Sequence, residues 1–177
     1  MKLKTMKRET RIVGICGFKS SKAGEFGVSV VGVVYRGGCW LDGIMATKVK
    51  AKNRGLTEKI ARMITGSPHY RQTRIVMLYE TKFFQLNRIN LERLHRKLKL
   101  PIIAVTGRKA AGARGASATI KPIPIATEAR GKPIYVGYVG LEQEEVTEIV
   151  KASSTRGRLP EPIRVAELIC TALQDKR

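Results

Sequence analysis

Aromatic residues are scarce in this chain. Phe, Trp and Tyr make up 6% of it, with a single Trp. A surface that stacks unpaired bases needs several such rings, so a single-strand stacking platform is disfavoured. Histidine is scarcer still. His69 and His95 are the two present, and neither has a partner at metal-ligand or catalytic-triad spacing. Surface or half-buried imidazoles are therefore expected. The three cysteines, Cys16, Cys39 and Cys170, are an odd set at unrelated spacings. That pattern indicates neither a disulfide framework nor a zinc site, and fits small buried thiols in a reducing cytosol. No apolar run reaches the roughly 18 residues of a membrane span. The opening MKLKTMKRET has a signal peptide's charge but no apolar stretch behind it. The expectation is a cytoplasmic protein with no membrane partner.

Acids are the other deficit. The 177 residues carry 34 Lys+Arg against 14 Asp+Glu, a formal net charge of +20. Seven of the 14 acids lie in residues 133–177, so the basic excess belongs to the part before them. Like charges crowded on one compact domain repel, and an anionic partner relieves the repulsion. Nucleic acid is the usual such partner, because each neutralised phosphate releases a counterion. A hydrophobic content of 43% is too high for a disordered polybasic tail. Length and composition indicate one domain with a real core. Residues 1–9 read as a basic arm, residues 10–177 as a single domain, and residues 107–124 as a basic, flexible loop within it.

Along the chain, RIVGIC (11–16) reads as a buried strand, and Gly17 to Gly27 as a polar turn. VSVVGVVY (28–35) and CWLDGIMATKV (39–49) read as a hairpin closed by Arg36-Gly37-Gly38. Thr57 is placed to cap a helix carrying Ile60, Met63 and Ile64, ended by Gly66-Ser67-Pro68. RIVMLY (74–79) is a strand, Asn90 caps a helix with Leu91, Leu94 and Leu98 in register, and PIIAVT (101–106) is a strand. Strands alternating with helices here imply parallel pairing. PIYVGYV (133–139) is a further strand. Leu141 to Ser153 is a helix with Glu142, Glu144 and Glu145 at its start, favourable to the helix dipole. Pro160-Glu161-Pro162 opens a last helix whose buried face is expected to be Val165, Leu168, Ile169, Ala172 and Leu173. The fold class is α/β.

VGVVYRGGCWLDGIM (31–45), TEKIARMITGSPHYRQTRIVML (57–78) and STRGRLPEPIRVAELI (154–169) together resemble an archaeal family related to endonuclease V. GKPIYVGYVG (131–140) followed by LPEPIR (159–164) resembles the C-terminal region of endonuclease V itself. The resemblance implies an RNase H-like fold: a mixed central sheet that opens with antiparallel strands and carries helices on both faces. It also implies metal-assisted phosphodiester cleavage beside a deaminated base, with carboxylates converging on one or two Mg²⁺ ions. The family's first strand usually reads Gly-Ile-Asp-Asp-Gly. This chain has Gly14-Ile15-Cys16-Gly17-Phe18, so a thiol stands where the acid is expected. Glu80 falls one residue from the family's second polar position, with Lys82 close by. The histidine of endonuclease V after the GKPIYV-like strand is replaced by Gly140 or Leu141.

A lone thiol with one displaced glutamate does not make a magnesium site, and Cys16 lacks the companions of a zinc site. Asp42 reads as a structural hydrogen-bonding acid, and Glu161 with Arg164 as a helix-start pair. The expectation is therefore a non-catalytic nucleic-acid-binding protein, with no cofactor and no catalytic or metal-binding residues. Structured RNA is the expected partner, held by phosphate contacts, with ribosomal RNA and ribosomal proteins as a possible setting. The candidate contacts are Lys2, Lys4, Lys7, Arg8, Lys19, Lys22, Lys48, Lys50, Lys52, Arg54, Arg108, Lys109, Arg114, Lys121, Arg156 and Arg158. Two alternatives stay open. One is a metal-dependent nuclease on inosine- or deoxyinosine-containing nucleic acid, using Glu80 and Asp42. The other is a scaffold whose acidic C-terminal part meets basic neighbours.

Overall fold

The computed structural model describes residues 9–22, 25–37, 39–50, 55–79, 89–107, 123–127 and 132–175. The chain begins with three long strands, β1 (Arg11–Lys22), β2 (Glu25–Arg36) and β3 (Trp40–Lys50), paired antiparallel in sequence order. Helix α1 (Leu56–Thr65) leads to β4 (Thr73–Tyr79), and α2 (Leu91–Leu98) leads to β5 (Ile102–Thr106). β4 pairs parallel with both β1 and β5. β6 (Ile123–Ile125) and β7 (Ile134–Val139) follow, then α3 (Gln143–Ser153) and α4 (Glu161–Asp175). The seven strands form one sheet in the order β3-β2-β1-β4-β5-β7-β6. This is the α/β architecture expected, a mixed sheet opening with antiparallel strands and covered on both faces.

The alternation of side chains along a strand divides the core. Val13, Ile15, Val76, Leu78, Ile102 and Ala104 face α1 and α2, where Ile60, Ile64, Leu91, Leu94 and Leu98 are buried. Ile12, Ile75, Met77, Ile103 and Val105 face α3, where Val146, Ile149 and Val150 are buried. Cys16, Phe18, Val31, Val33 and Tyr35 lie on that same second face and meet Ala166 and Cys170 of α4. Central strands buried on both faces read as continuous apolar runs, which is why RIVGIC, VSVVGVVY and PIIAVT stood out in the sequence.

Four local readings are corrected. Gly17 to Gly27 is not a turn: β1 and β2 stay paired out to Lys22 and Glu25. Backbone hydrogen bonds hold that end of the hairpin and need no apolar side chains. Thr57 does not cap α1. Gly55 precedes the helix, and the Thr57 hydroxyl, buried in the first turn, accepts the Asn90 N–H at 3.2 Å. Within residues 107–124, Ile123 and Pro124 belong to the edge strand β6, where proline's missing donor is tolerated. The face of α4 is also displaced. Ile163, Ala166 and Cys170 are buried, whereas Leu168 is 56% and Leu173 is 45% exposed. Ala172 is exposed, and Val165 and Ile169 are half-buried. The cause lies in β1. A Cβ on Gly14 would stand 2.2 Å from the Pro162 carbonyl carbon, so α4 starts directly against the strand. At that separation small side chains fit beneath the helix and leucines are forced to its flanks.

Other readings hold. The Asn90 Oδ1 accepts the Arg93 N–H at 2.7 Å, capping α2. The Glu161 carboxylate, 1% exposed, takes two hydrogen bonds from Arg164 at 2.7 and 2.9 Å. The Asp42 carboxylate joins Arg11 at 2.7 Å and Arg36 at 3.3 Å. Both histidines are half-buried against glycines, His69 over Gly43 and His95 over Gly140. The His95 Nδ1 also meets the Leu100 carbonyl at 2.7 Å. Of the cysteines, Cys16 and Cys170 are buried as expected and Cys39 is exposed. Among the described residues, no helix is long and apolar enough to cross a membrane.

Candidate nucleic-acid interface at the carboxyl edge of the sheet

β1, β3, β4 and β5 run in the same direction, so their carboxyl ends share one edge of the sheet. In α/β sheets that edge is where ligands collect, because the crossovers leave a crevice there. Ile15 pairs with Leu78, so the residues that follow, Cys16 and Tyr79, are neighbours at the end of the parallel pair. Helix α4 crosses this point and contributes Glu167 and Cys170. Tyr79 and Glu167 lie close enough to influence each other's ionisation. Arg158, in the segment leading to α4, sets its guanidinium over Gly107, just past β5. A Cβ there would come within 2.6 Å of the Arg158 Nη2 and 3.9 Å of the Tyr79 hydroxyl. The absence of a side chain at Gly107 is what admits the arginine to the cluster.

The electrostatics follow from partial burial. Burial raises the Glu167 carboxyl above its ordinary range, while the Tyr79 hydroxyl and Arg158 pull it back. Tyr79 is raised chiefly by burial, then by the negative charge of Glu167. The Cys16 thiol is raised far more, first by its hydrogen bond with Cys170 and then by burial. It is a neutral donor, within 4.0 Å of the Gly17 carbonyl, and not a thiolate ligand.

Among the described residues, this set offers a hard divalent cation few ligands. Magnesium takes oxygen ligands, usually including one or two carboxylates. The described side chains here offer one carboxylate, one phenol and two thiols, with a guanidinium alongside. Among the described residues, no group of three or more His, Cys, Asp and Glu is arranged to hold a metal ion. Asp42 cannot contribute. Its partner Arg11 begins β1, five residues before Cys16 and away from the cluster. Glu80 lies outside the described residues.

The basic candidates distribute as follows. Arg158 enters the cluster and is half-buried, and Arg156 is exposed beside it. Lys19 and Lys48 are exposed near the carboxyl ends of β1 and β3. The strand register puts Lys19 with Val28 and Lys48 with Ser29, on opposite faces of the sheet. For Lys22 and Lys50 the description stops at the backbone, which closes β1 and β3 at the same edge. Lys2, Lys4, Lys7, Arg8, Lys52, Arg54, Arg108, Lys109, Arg114 and Lys121 lie outside the described residues. The chain leaves for residues 51–54, 80–88 and 108–122 from this edge, at the ends of β3, β4 and β5.

Sequence reasoning missed Tyr79, Glu167 and Cys170. The available signal was Glu167, the one charged residue in the stretch Val165–Leu173. It was lost because the helix face was misjudged.

The family model of endonuclease dU matches residues 8–174. The chain belongs to the endonuclease dU family. A UPF0215 protein of Methanopyrus kandleri is 33% identical over 98% of this chain and 95% of its own length. Among solved structures, a protein of unknown function from Archaeoglobus fulgidus superposes with a TM-score of 0.75 at 25% identity, covering 93% of this chain and 98% of its own. Endonuclease V of Ciona intestinalis, in complex with a 24mer DNA containing an inosine followed by a ribo-adenosine, gives a TM-score of 0.67 at 17% identity, covering 97% and 88%. This endonuclease dU family member therefore has the RNase H-like fold of endonuclease V. Among the described residues, α4 brings the Glu167 carboxylate close to Cys16 at the end of the parallel strands.

Proposed function

We propose that this endonuclease dU family member binds nucleic acid along the carboxyl edge of its sheet and does not cleave it through a metal centre. The observation that carries this reading is Cys16, a buried, neutral thiol joined to Cys170 at the strand position where a cation would need an anionic oxygen. Arg158 and Arg156 at the edge, Lys19 and Lys48 near it, and a net charge of +20 supply attraction to phosphate. The likeness to a DNA-bound endonuclease V supports the choice of ligand class. Among nucleic acids, folded RNA suits a surface poor in aromatic rings, since it is read by shape and phosphate contacts. Ribosomal RNA is the specific ligand to test first.

The test is affinity for a folded RNA across salt. Binding whose logarithmic slope with salt is steeper than about −3, meaning several phosphate contacts, supports the reading. A shallower slope defeats it, and co-sedimentation with ribosomes decides the ribosomal setting.

Glu167 favours a second reading, cleavage. A carboxylate from the last helix beside the end of β1 is a feature of the site that the sequence did not disclose. In that case Mg²⁺ or Mn²⁺ would support cutting of deoxyuridine-, inosine- or deoxyinosine-containing strands, and Glu167→Gln would abolish it. Intact substrate with every divalent ion removes this reading.

A further inference from the structure

Cys16 and Cys170 belong to the first strand and the last helix, yet they pack in one cluster between β1 and α4. They are 2% and 3% exposed. Both are unbridged, and they lie close enough for Cys170 to influence the Cys16 thiol. A disulfide is about 2.0 Å long, so closing one here takes rotation of both side chains within the cluster that already holds α4 against β1. The nucleic-acid reading makes no use of this pair as a pair: one neutral side chain in place of Cys16 would satisfy it. Two thiols in one buried cluster, with Tyr79 and Glu167 close by, call for a separate account.

We propose that Cys16 and Cys170 are an oxidisable dithiol whose disulfide fastens α4 to β1 beneath the Tyr79, Glu167 and Arg158 side chains. With a peroxide as oxidant, one sulfur takes an oxygen to become a sulfenic acid and releases water. The second sulfur then attacks the first and expels that oxygen as a second water. The two thiol protons leave in the waters, and the two electrons pass to the peroxide. A small-molecule reductant such as dithiothreitol reverses the bond by thiol exchange. Buried thiols react slowly, so the rate follows the opening of α4 away from the sheet. The bond itself is independent of what the protein binds. Its effect on affinity rests on the nucleic-acid reading above, since Glu167 and Cys170 share the helix that would be fixed.

The experiment uses the full chain carrying Cys39→Ser, which removes the exposed thiol. After treatment with hydrogen peroxide, intact mass should fall by the two thiol hydrogens. Non-reducing proteolysis should yield a peptide joining Cys16 to Cys170. Thermal unfolding should shift upward and return with dithiothreitol, and Cys170→Ser or Cys16→Ala should lose all three effects. Should either variant fail to unfold cooperatively, the peptide map of the two-thiol protein decides alone. A gain of oxygen without the joined peptide overturns the proposal. For function, the oxidised and reduced forms are compared on the same folded RNA, with a change of about threefold or more expected. A complete crosslink with unchanged affinity overturns the regulatory part. Absence of RNA binding by both forms counts against the nucleic-acid reading and leaves the bond standing.

Discussion

Glu161 and Arg164 form a two-point ion pair at the start of α4, with the carboxylate buried and the guanidinium about a third exposed. The inequality of burial makes the pair asymmetric. Removing the arginine leaves a buried carboxylate without its counterion, a loss of about 3–5 kcal/mol. Removing the glutamate leaves an arginine that can turn to water, and costs less. Arg164→Ala should therefore destabilise the fold more than Glu161→Ala, as read by urea unfolding. Equal losses would mean that the pair is worth only its packing.

Gly14 is the contact on which α4 seats. Any Cβ there meets the Pro162 backbone, which cannot yield as a flexible side chain does. Gly14→Ala should cost about 1–3 kcal/mol through overpacking. Gly157→Ala is the control, since nothing lies within 4 Å of its Cβ position. It should stay within about 0.5 kcal/mol of the parent. Chemical denaturation of both variants checks the difference.

These two positions also show what the sequence could disclose. Strand runs and the α2 cap are local signals, and they were legible. So was the Glu161–Arg164 pair, because its members are one helical turn apart. The buried face of α4 was not legible. Apolar residues occur all round that helix, and the choice among faces depends on how close Gly14 lets it come. The meeting of Cys16, Tyr79, Glu167 and Arg158 was hidden for the same reason. It is made by three distant parts of the chain, and no spacing rule connects them. The resemblance implied an acid at the place of Cys16, but did not imply the carboxylate that α4 delivers beside it.

Glu167 gives a signed dependence on pH. Burial raises its carboxyl above the ordinary value of 4.5, so the folded protein holds that proton more tightly than the unfolded chain does. The contribution to stability is full below the ordinary value and is lost as pH rises through the raised one. Glu167→Gln mimics the protonated form at every pH. The melting temperature of the variant, relative to the parent, should therefore rise between pH 4 and pH 8. A difference that stays flat over that range would show that Tyr79 and Arg158 cancel the effect of burial.

Arg158 is the described basic residue placed both at the cluster and at the edge of the sheet. Arg158→Ala should weaken folded-RNA binding and reduce the salt slope by about 1, the value for one phosphate contact. Arg74→Ala serves as the comparison, since Arg74 is exposed near the start of β4, at the other edge. It should leave the slope unchanged. Filter binding over a salt series measures both.

The pairing of the first strand with the last helix has a bearing on how the protein is made. β1 sits in the middle of the sheet, and the residues that cover Cys16, Phe18, Val31 and Val33 arrive only with Ala166 and Cys170. Until those residues have been synthesised, one side of the nascent β1–β2 ribbon has no apolar cover. Contacts spanning nearly the whole polypeptide also close late, because the intervening chain must first be brought together. Truncating the chain just before α4 would consequently yield a sticky, aggregation-prone product, even though all seven described strands would still be encoded.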